Sequence, residues 1–233
     1  MIAVRIGAAG ADTARAVQAL ARHGRVELAV LPADPDRSAL DDLLSVVDER
    51  RLVVLADLAG LNQVVQRLLR RSALAGTPVG AIIDDPQWTG ALGLPAEPTA
   101  AAEAAATGTP ASLGLIRDDR GGIVLGRAEL HPLIGRVFGL RGYVEDGELA
   151  DSVVRTLSVT PDRTALRATV RRGRLHPTRT LSGRAVTVRC EPARLTVDGR
   201  DLPEPRSRVT WWYEPACWQL VRPISVPAVN GVS

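Results

Sequence analysis

The 233-residue chain contains no lysine, so arginine supplies all of the basic residues in its net charge of +3. Phe, Trp and Tyr make up only 3% of the residues, which argues against the aromatic stacking platforms that bind single-stranded nucleic acid. Two cysteines, Cys190 and Cys217, are too few and too far apart for a disulfide framework or a zinc site. The sequence has no apolar run of membrane-spanning length and no secretory signal pattern. We therefore expect a cytoplasmic protein that does not bind nucleic acid.

What the chain does contain is a regular alternation of strand and helix patterns in its first half. Four short apolar runs are typical of strands in a parallel sheet, and helical spacing of apolar residues separates them. The runs lie at residues 1–6, 26–31, 52–55 and 79–83. An alanine-rich segment at 99–106 predicts one more helix. This order predicts a Rossmann-like parallel α/β domain over residues 1–110.

The helical period largely disappears after residue 110. A hairpin signal at 118–122 and several alternating segments predict a mostly β domain over 111–225, followed by a tail at 226–233. The signature Thr160-Pro161-Asp162 predicts one helix at about 161–172. Its arginines fit either an ordinary solvated helix face or a surface that docks on an anionic membrane.

The segment at 51–69 is the most informative one for function. It predicts a buried strand, a loop of small residues at 56–60 and a helix from Leu61 onward. In α/β proteins such a corner binds phosphate, because loop amides and the helix N-terminus point at the ligand. Gly7 and Gly10 mark a similar flexible turn after the first strand.

Five short segments carry a further pattern through their order and spacing. They are residues 61–65, 79–82, 91–95, 145–151 and 197–199. The first resembles the L-N-E-V-V that follows the G-G-D-G-T loop of the diacylglycerol kinase catalytic family, and the next two resemble the ends of that family's second nucleotide loop. The fourth is similar to its D-D-G-x-L-D acidic motif with one residue inserted, and the last to its V-D-G-E turn. This family includes bacterial lipid kinases and sphingosine kinases and is structurally related to NAD kinases.

The resemblance implies an α/β domain that holds nucleotide and a sandwich-like β domain that completes the site. Known members transfer the γ-phosphate of ATP to a lipid hydroxyl with magnesium, so ATP and Mg²⁺ are the expected cofactors if the chain is active. The ligand would then be a nucleotide or a lipid. The candidate residues are Asp146 as catalytic base, Gly7, Gly10, Asp57, Gly60 and Asn62 for nucleotide, and Asp84 and Asp85 for metal.

The chain departs from the family where phosphoryl transfer needs it most. At the G-G-D-G-T position the three glycines are replaced by Ala56, Asp57 and Ala59, and the loop acid by Leu58. Side chains restrict the positive φ angles of a phosphate loop, and a carboxylate on Asp57 would repel phosphate. The G-T-x-N element is also absent, with residues 84–88 in its place. We therefore interpret the chain as a degenerate lipid kinase-like protein, a pseudokinase that acts through ligand or partner binding.

Two alternatives stay open. The first is an active lipid kinase with a rebuilt site, in which Asp57, Asp84 or Asp85 binds the metal and Asp146 is the base. The second is a non-catalytic interaction protein that assembles, with a partner or as a homodimer, through a Trp-rich β edge at 211–218. Trp88 either fills the adenine space or packs against the core.

Overall fold

The computed structural model describes residues 1–8, 11–47, 50–173 and 177–224. The chain divides into two compact units. The first contains Met1–Asp57, Gly76–Ala111 and the chain from Gln219 onward, and the second contains Leu58–Ala75 and Ser112–Trp218. The chain therefore passes from one unit to the other four times, whereas the sequence predicted one boundary at residue 110.

The first unit is built on parallel strands, as the alternation of apolar runs predicted. Its strands are β1 (Ile2–Ile6), β2 (Glu27–Leu31), β3 (Leu52–Ala56) and β4 (Val79–Ile83), in the spatial order β2-β1-β3-β4. Its helices are α1 (Ala11–Ala21), α2 (Arg37–Ser45), α4 (Pro86–Leu92) and α5 (Pro98–Thr107), while α3 (Leu58–Arg70) belongs to the second unit. At the far side of β4, Leu220 pairs with Val79 in parallel.

Small residues allow the helices of the first unit to pack closely on its sheet. A cluster of buried residues joins α1 and α5 to β1 and β3 and is dominated by alanine. A Cβ atom on Gly80 would lie 3.0 Å from the Cβ of Ala105, so α5 lies almost in contact with the backbone of β4. Arg51 Nη1 donates to the carbonyls of Ala106 and Gly108 at 2.7 and 3.2 Å. This cation at the C-terminus of α5 complements the helix dipole.

The second unit is mostly β, as predicted, with α3 beside an antiparallel sheet. Its strands are β5 (Thr109–Asp118), β6 (Ile123–Val124), β7 (Ala128–Pro132), β8 (Phe138–Val144), β9 (Gly147–Val154), β10 (Thr156–Pro161), β11 (Leu166–Arg171), β12 (Arg179–Gly183), β13 (Ala185–Val197), β14 (Arg200–Asp201) and β15 (Arg206–Arg222). The first residues of β5 and the last of β15 fall in the first unit. Within the described part of the chain, no helix is long and apolar enough to cross a membrane.

The predicted helix at about 161–172 is wrong, because this segment is the turn between β10 and β11 with parts of both strands. Asp162 accepts from the backbone N–H of Arg163 at 2.8 Å and from Arg167 Nη2 at 2.7 Å, which is a local turn contact and not a helix cap. Leu166, Ala168 and Val170 are buried in strict alternation. The period of two therefore overrides the local helix signature.

The loop predicted at 56–60 is also shorter in the structure. Helix α3 begins at Leu58, so Asp57 is the only residue between β3 and α3. Leu58 and Gly60 are buried residues of that helix. Helix α4 forms where the resemblance implied the family's second nucleotide loop, and Asp85 caps it by accepting from Gln87 N at 2.9 Å.

The predicted Trp-rich edge does not exist as an edge, since β15 pairs with β13 and with β5. Trp211 and Tyr213 are buried on one face of β15 and Trp212 on the other face is half-buried, as strand alternation predicts; Trp218 is buried as well. Trp212 lies 5.9 Å from the guanidinium carbon of Arg117. Dimerisation stays a prediction, but unpaired backbone of β15 cannot be its basis.

Candidate site at the carboxyl edge of the parallel sheet

A cavity of about 310 Å³ opens in the first unit where its parallel strands end. Strands β1, β3 and β4 contribute their last residues, and the turns that follow contribute polar side chains. The carboxyl edge of an open parallel sheet is where α/β proteins bind ligands. The polar and glycine residues of the lining are Gly7, Asp12, Thr13, Asp57 and Asp84, and the remaining lining residues are apolar.

Two of the carboxylates come from neighbouring strand ends. Ala56 of β3 is in register with Ile83 of β4, and Asp57 and Asp84 are the next residues of the two strands. Both aspartates are exposed. Asp12, on the first turn of α1, forms an ion pair with Arg15. No arginine or histidine is part of the described lining, so the cavity is lined by three carboxylates and no cation.

The predicted nucleotide-binding residues do not all gather at this cavity. Gly7, with φ +87°, and Asp57 line it, and Gly10 lies outside the described residues. Gly60 and Asn62 are buried in α3 and belong to the second unit. Because α3 starts directly after Asp57 and belongs to the second unit, these two residues are not part of the cavity lining, and nucleotide binding by them stays a prediction.

The two predicted metal-binding residues, Asp84 and Asp85, have different roles in the structure. Asp84 lines the cavity, whereas the carboxylate of Asp85 serves as the N-cap of α4. Across the described ranges, no group of three or more His, Cys, Asp or Glu side chains is arranged to hold a metal ion. Binding of a metal ion by Asp84 would therefore need ligands from water or substrate.

Asp146 lies exposed in the turn between β8 and β9 of the second unit. The neighbouring acids of this motif make structural contacts. Glu145, with φ +52°, accepts from the backbone N–H of Arg184 at 2.7 Å, and Asp151 pairs with Arg141 at 2.7 Å. The geometry of Asp146 is that of a solvated hairpin turn.

The carboxylate of the 197–199 turn motif lies elsewhere in the second unit, and its burial was not predicted from the sequence. Asp198 is 3% exposed and occupies a positive-φ position beside Gly199, where the Asp-Gly pair forms the turn between β13 and β14. Four donors surround its two oxygens: Asn62 Nδ2 at 2.6 Å, Leu125 N at 2.9 Å, and Gly126 N and Arg127 N at 2.8 Å. Burial raises the pKa of Asp198, and the hydrogen bonds from its four donors oppose that shift.

Neither Trp88 nor a histidine completes the cavity. Trp88 is half-buried on α4 and is not part of the cavity lining. His23 is exposed, and His131 lies 3.7 Å from Glu129 on β7. His176 falls outside the described residues.

No protein-family model and no curated protein matches the sequence of this chain. Solved structures do match. A diacylglycerol kinase from Bacillus anthracis str. Sterne matches with a TM-score of 0.69 at 12% identity, over 98% of this chain and 97% of that one. An NAD kinase from Archaeoglobus fulgidus in complex with ATP matches with a TM-score of 0.62 at 11% identity, over 95% and 94%. Yeast NADH kinase complexed with NADH matches with a TM-score of 0.53 at 10% identity, over 97% and 80%. The chain therefore has the two-domain fold shared by diacylglycerol kinases and NAD kinases.

Proposed function

We propose that this protein is a lipid kinase-like pseudokinase, which keeps the fold, does not transfer the γ-phosphate of ATP, and binds an uncharged ligand in the cavity of its first unit. One observation carries the proposal. The cavity at the carboxyl edge of the parallel sheet is lined by Asp12, Asp57 and Asp84 and by no basic side chain of the described chain.

Electrostatics argue against a triphosphate at this position. Two like unit charges 4 Å apart near a protein surface repel each other by about 4 kcal/mol. Kinase sites offset the charge of ATP with backbone amides, basic side chains and bound metal. Here the glycine-rich loop is missing, because α3 starts one residue after Asp57. Asp12 is already paired with Arg15, so Asp57 and Asp84 are the carboxylates that place negative charge where phosphates would need positive charge.

The same lining suits an uncharged molecule that carries hydroxyl groups. Carboxylates accept hydrogen bonds from hydroxyls, and the alanines of the lining leave room for a flat or ring-shaped body. A volume of about 310 Å³ lies at the small end of ligand pockets. A nucleoside without phosphates fits this description, and adenosine is the natural probe because a structural relative binds ATP.

The test compares adenosine with ATP by calorimetric titration and measures lipid phosphorylation directly. We expect adenosine to bind, Asp57→Asn to weaken that binding, and Asp42→Asn to leave it unchanged, since Asp42 is an exposed acid of α2 outside the lining. We expect no phosphate transfer from ATP–Mg²⁺ to diacylglycerol. Saturable transfer by the purified protein would refute the pseudokinase assignment.

One observation favours a second candidate, an active kinase with a rebuilt site. Asp57 and Asp84 stand side by side on adjacent strand ends, so together they could bind one Mg²⁺ that also holds phosphate. In that case ATP would bind only with Mg²⁺, and Asp84→Asn would abolish both binding and lipid phosphorylation. Magnesium-independent behaviour of the wild type and of Asp84→Asn would exclude this candidate.

A further inference from the structure

We infer that the second unit carries an anion-binding site that is separate from the proposed function and takes a phosphomonoester or a similarly compact dianion. The site is a cleft of about 270 Å³ between α3, the β5–β6 turn and the β13–β14 hairpin. Its wall on α3 extends from Ala59 to Arg70 along one face of the helix. All of its lining residues belong to the second unit.

Arginines from four different elements line this cleft. Arg70 comes from the end of α3, Arg120 from the β5–β6 turn, Arg200 from β14 and Arg206 from the start of β15. One acid, Asp118, belongs to the described lining. Its Oδ1 already accepts from the backbone N–H groups of residues 120 and 122 at 2.9 and 2.7 Å, which commits it to the turn. The lining thus carries four positive charges against one negative charge.

Arg206 gives the cleft a buried cation that needs a partner. Its side chain is only 12% exposed, and its Nη1 is buried without a hydrogen bond. Glu204 Oε2 lies 3.7 Å from that nitrogen, which is an ion-pair distance and too long for a hydrogen bond. Burying an unsatisfied guanidinium nitrogen is costly, and an anion in the cleft would supply the missing acceptor once the Glu204 carboxylate turns away from it.

Glu204 also explains how the cleft can exist without a ligand. The same Oε2 atom lies 3.0 Å from Arg120 Nη1, so this one carboxylate bridges two of the four arginines from the rim. Its side chain is 72% exposed, so it can turn away into solvent. A dianion with its charge concentrated on one group can form shorter, charge-assisted hydrogen bonds to both guanidinium groups than the rim carboxylate does.

At about 270 Å³ the cleft lies at the small end of ligand pockets, so the part of the ligand beyond its phosphate is a small molecule or a lipid headgroup. A phosphomonoester of this kind occurs in a free metabolite such as glycerol 3-phosphate and in the headgroup of phosphatidate. The chemistry that the arginines recognise is the same in both. The two sources differ only in whether the phosphate is presented in solution or at a membrane surface.

Calorimetry measures binding of inorganic phosphate and of glycerol 3-phosphate to the full chain. Co-sedimentation measures its binding to phosphatidate vesicles, with phosphatidylcholine vesicles as the control. We expect saturable phosphomonoester binding that Arg206→Gln weakens about tenfold or more. Arg120→Gln should weaken phosphomonoester binding as well. Because the Arg120 side chain is 54% exposed, this variant tests the inference if Arg206→Gln does not fold. Binding of glycerol 3-phosphate alone, or of vesicles as well, identifies the source.

Glu204→Gln provides the more discriminating readout, because removing the competing carboxylate should strengthen binding by about two- to tenfold. Matched controls are Arg171→Gln, an exposed arginine of β11, and Asp151→Asn, an exposed acid that also pairs with an arginine. Neither control should change the affinity. No saturable binding of either soluble probe at millimolar concentration would overturn the inference, and so would equal effects of the cleft variants and the controls.

The outcome is independent of the cavity in the first unit. If ATP binds without Mg²⁺ and Arg206→Gln removes that binding, the terminal phosphate of ATP occupies the cleft, which supports the inference and leaves the pseudokinase proposal unaffected. If lipid phosphorylation is observed while phosphate binding fails, the pseudokinase proposal and this inference are both refuted, by different measurements.

Discussion

Replacing Asp198 by Asn should lower the stability of the protein more than any other exchange of a carboxylate for an amide in the described chain. Each oxygen of Asp198 accepts two hydrogen bonds, one oxygen from Asn62 and Leu125 and the other from Gly126 and Arg127. An asparagine has one acceptor oxygen, so its NH₂ group would face two donors. Each buried unsatisfied donor costs about 1–3 kcal/mol. The two unsatisfied donors therefore cost about 2–6 kcal/mol of unfolding free energy, a loss that is reduced where Asp198 is ionised, because Asn relieves the burial penalty of the charge.

Urea unfolding followed by tryptophan fluorescence measures this loss, because Trp211 and Trp218 are buried in the native state. Asn62→Ala removes one of the four donors and should cost less, and in a double-mutant cycle the two changes should not be additive. Asp151→Asn, on the surface, serves as the control. A loss below about 1 kcal/mol for Asp198→Asn would refute the argument, because the four hydrogen bonds would then contribute little.

The pH dependence of this loss has a definite sign. Burial raises the pKa of Asp198 above its ordinary value of 3.8. The folded state therefore binds the proton more tightly than the unfolded state, and the resulting stability is fully present below pH 3.8 and is lost as the pH rises through the folded-state pKa. The difference in unfolding free energy between wild type and Asp198→Asn should shrink as the pH rises through that window. A difference that grows instead would mean that the hydrogen bonds outweigh burial.

Three further predictions concern single positions. Gly108→Ala should destabilise the first unit by about 3 kcal/mol or more in urea unfolding, since its Cβ would lie 2.1 Å from the carbonyl oxygen of Arg222. An unchanged unfolding free energy would show that the backbone moves apart at no cost. Arg51→Met should cost about 1–3 kcal/mol by the same measurement, because the carbonyls at the end of α5 lose their donor, and an unchanged midpoint would contradict this. Burial raises the pKa of Cys190 to about 11. In a Cys217→Ser background, Ellman's reagent should therefore react slowly with native Cys190 at pH 8 and faster as the pH approaches 11. Rapid reaction at pH 8 would refute this prediction.

The parallel sheet was predictable because its signal is local and repeated. Each strand is a mostly apolar run that a helix pattern separates from the next, and the predicted bounds of β4 agree with the structure residue for residue. The helix predicted at about 161–172 failed for the opposite reason. Thr160, Pro161 and Asp162 suit a helix start and a strand-ending turn equally well, and only the alternation from Leu166 onward distinguishes the two.

The site residues were harder to predict because long-range contacts decide their roles. Asp57 and Asp84 could be placed at one sheet edge, since adjacent parallel strands end together. Asn62 and Asp198 are 136 residues apart, and nothing local in either segment indicates that one donates to the other. The arginine cleft is of the same kind, because its four cations become neighbours only when α3 joins the β strands.

The repeated crossing of the chain between its two units has a consequence for how the protein is made. Helix α3 belongs to the second unit although it is synthesised between two strands of the first. The first unit gains its last strand pairing only when Leu220 reaches Val79, after the entire second unit has left the ribosome. Neither half can therefore finish folding during synthesis in the N-terminal-first order usual for consecutive domains. Truncation at residue 110 should accordingly yield an unstable fragment, and gene fusions that exchange the halves at that point should fail.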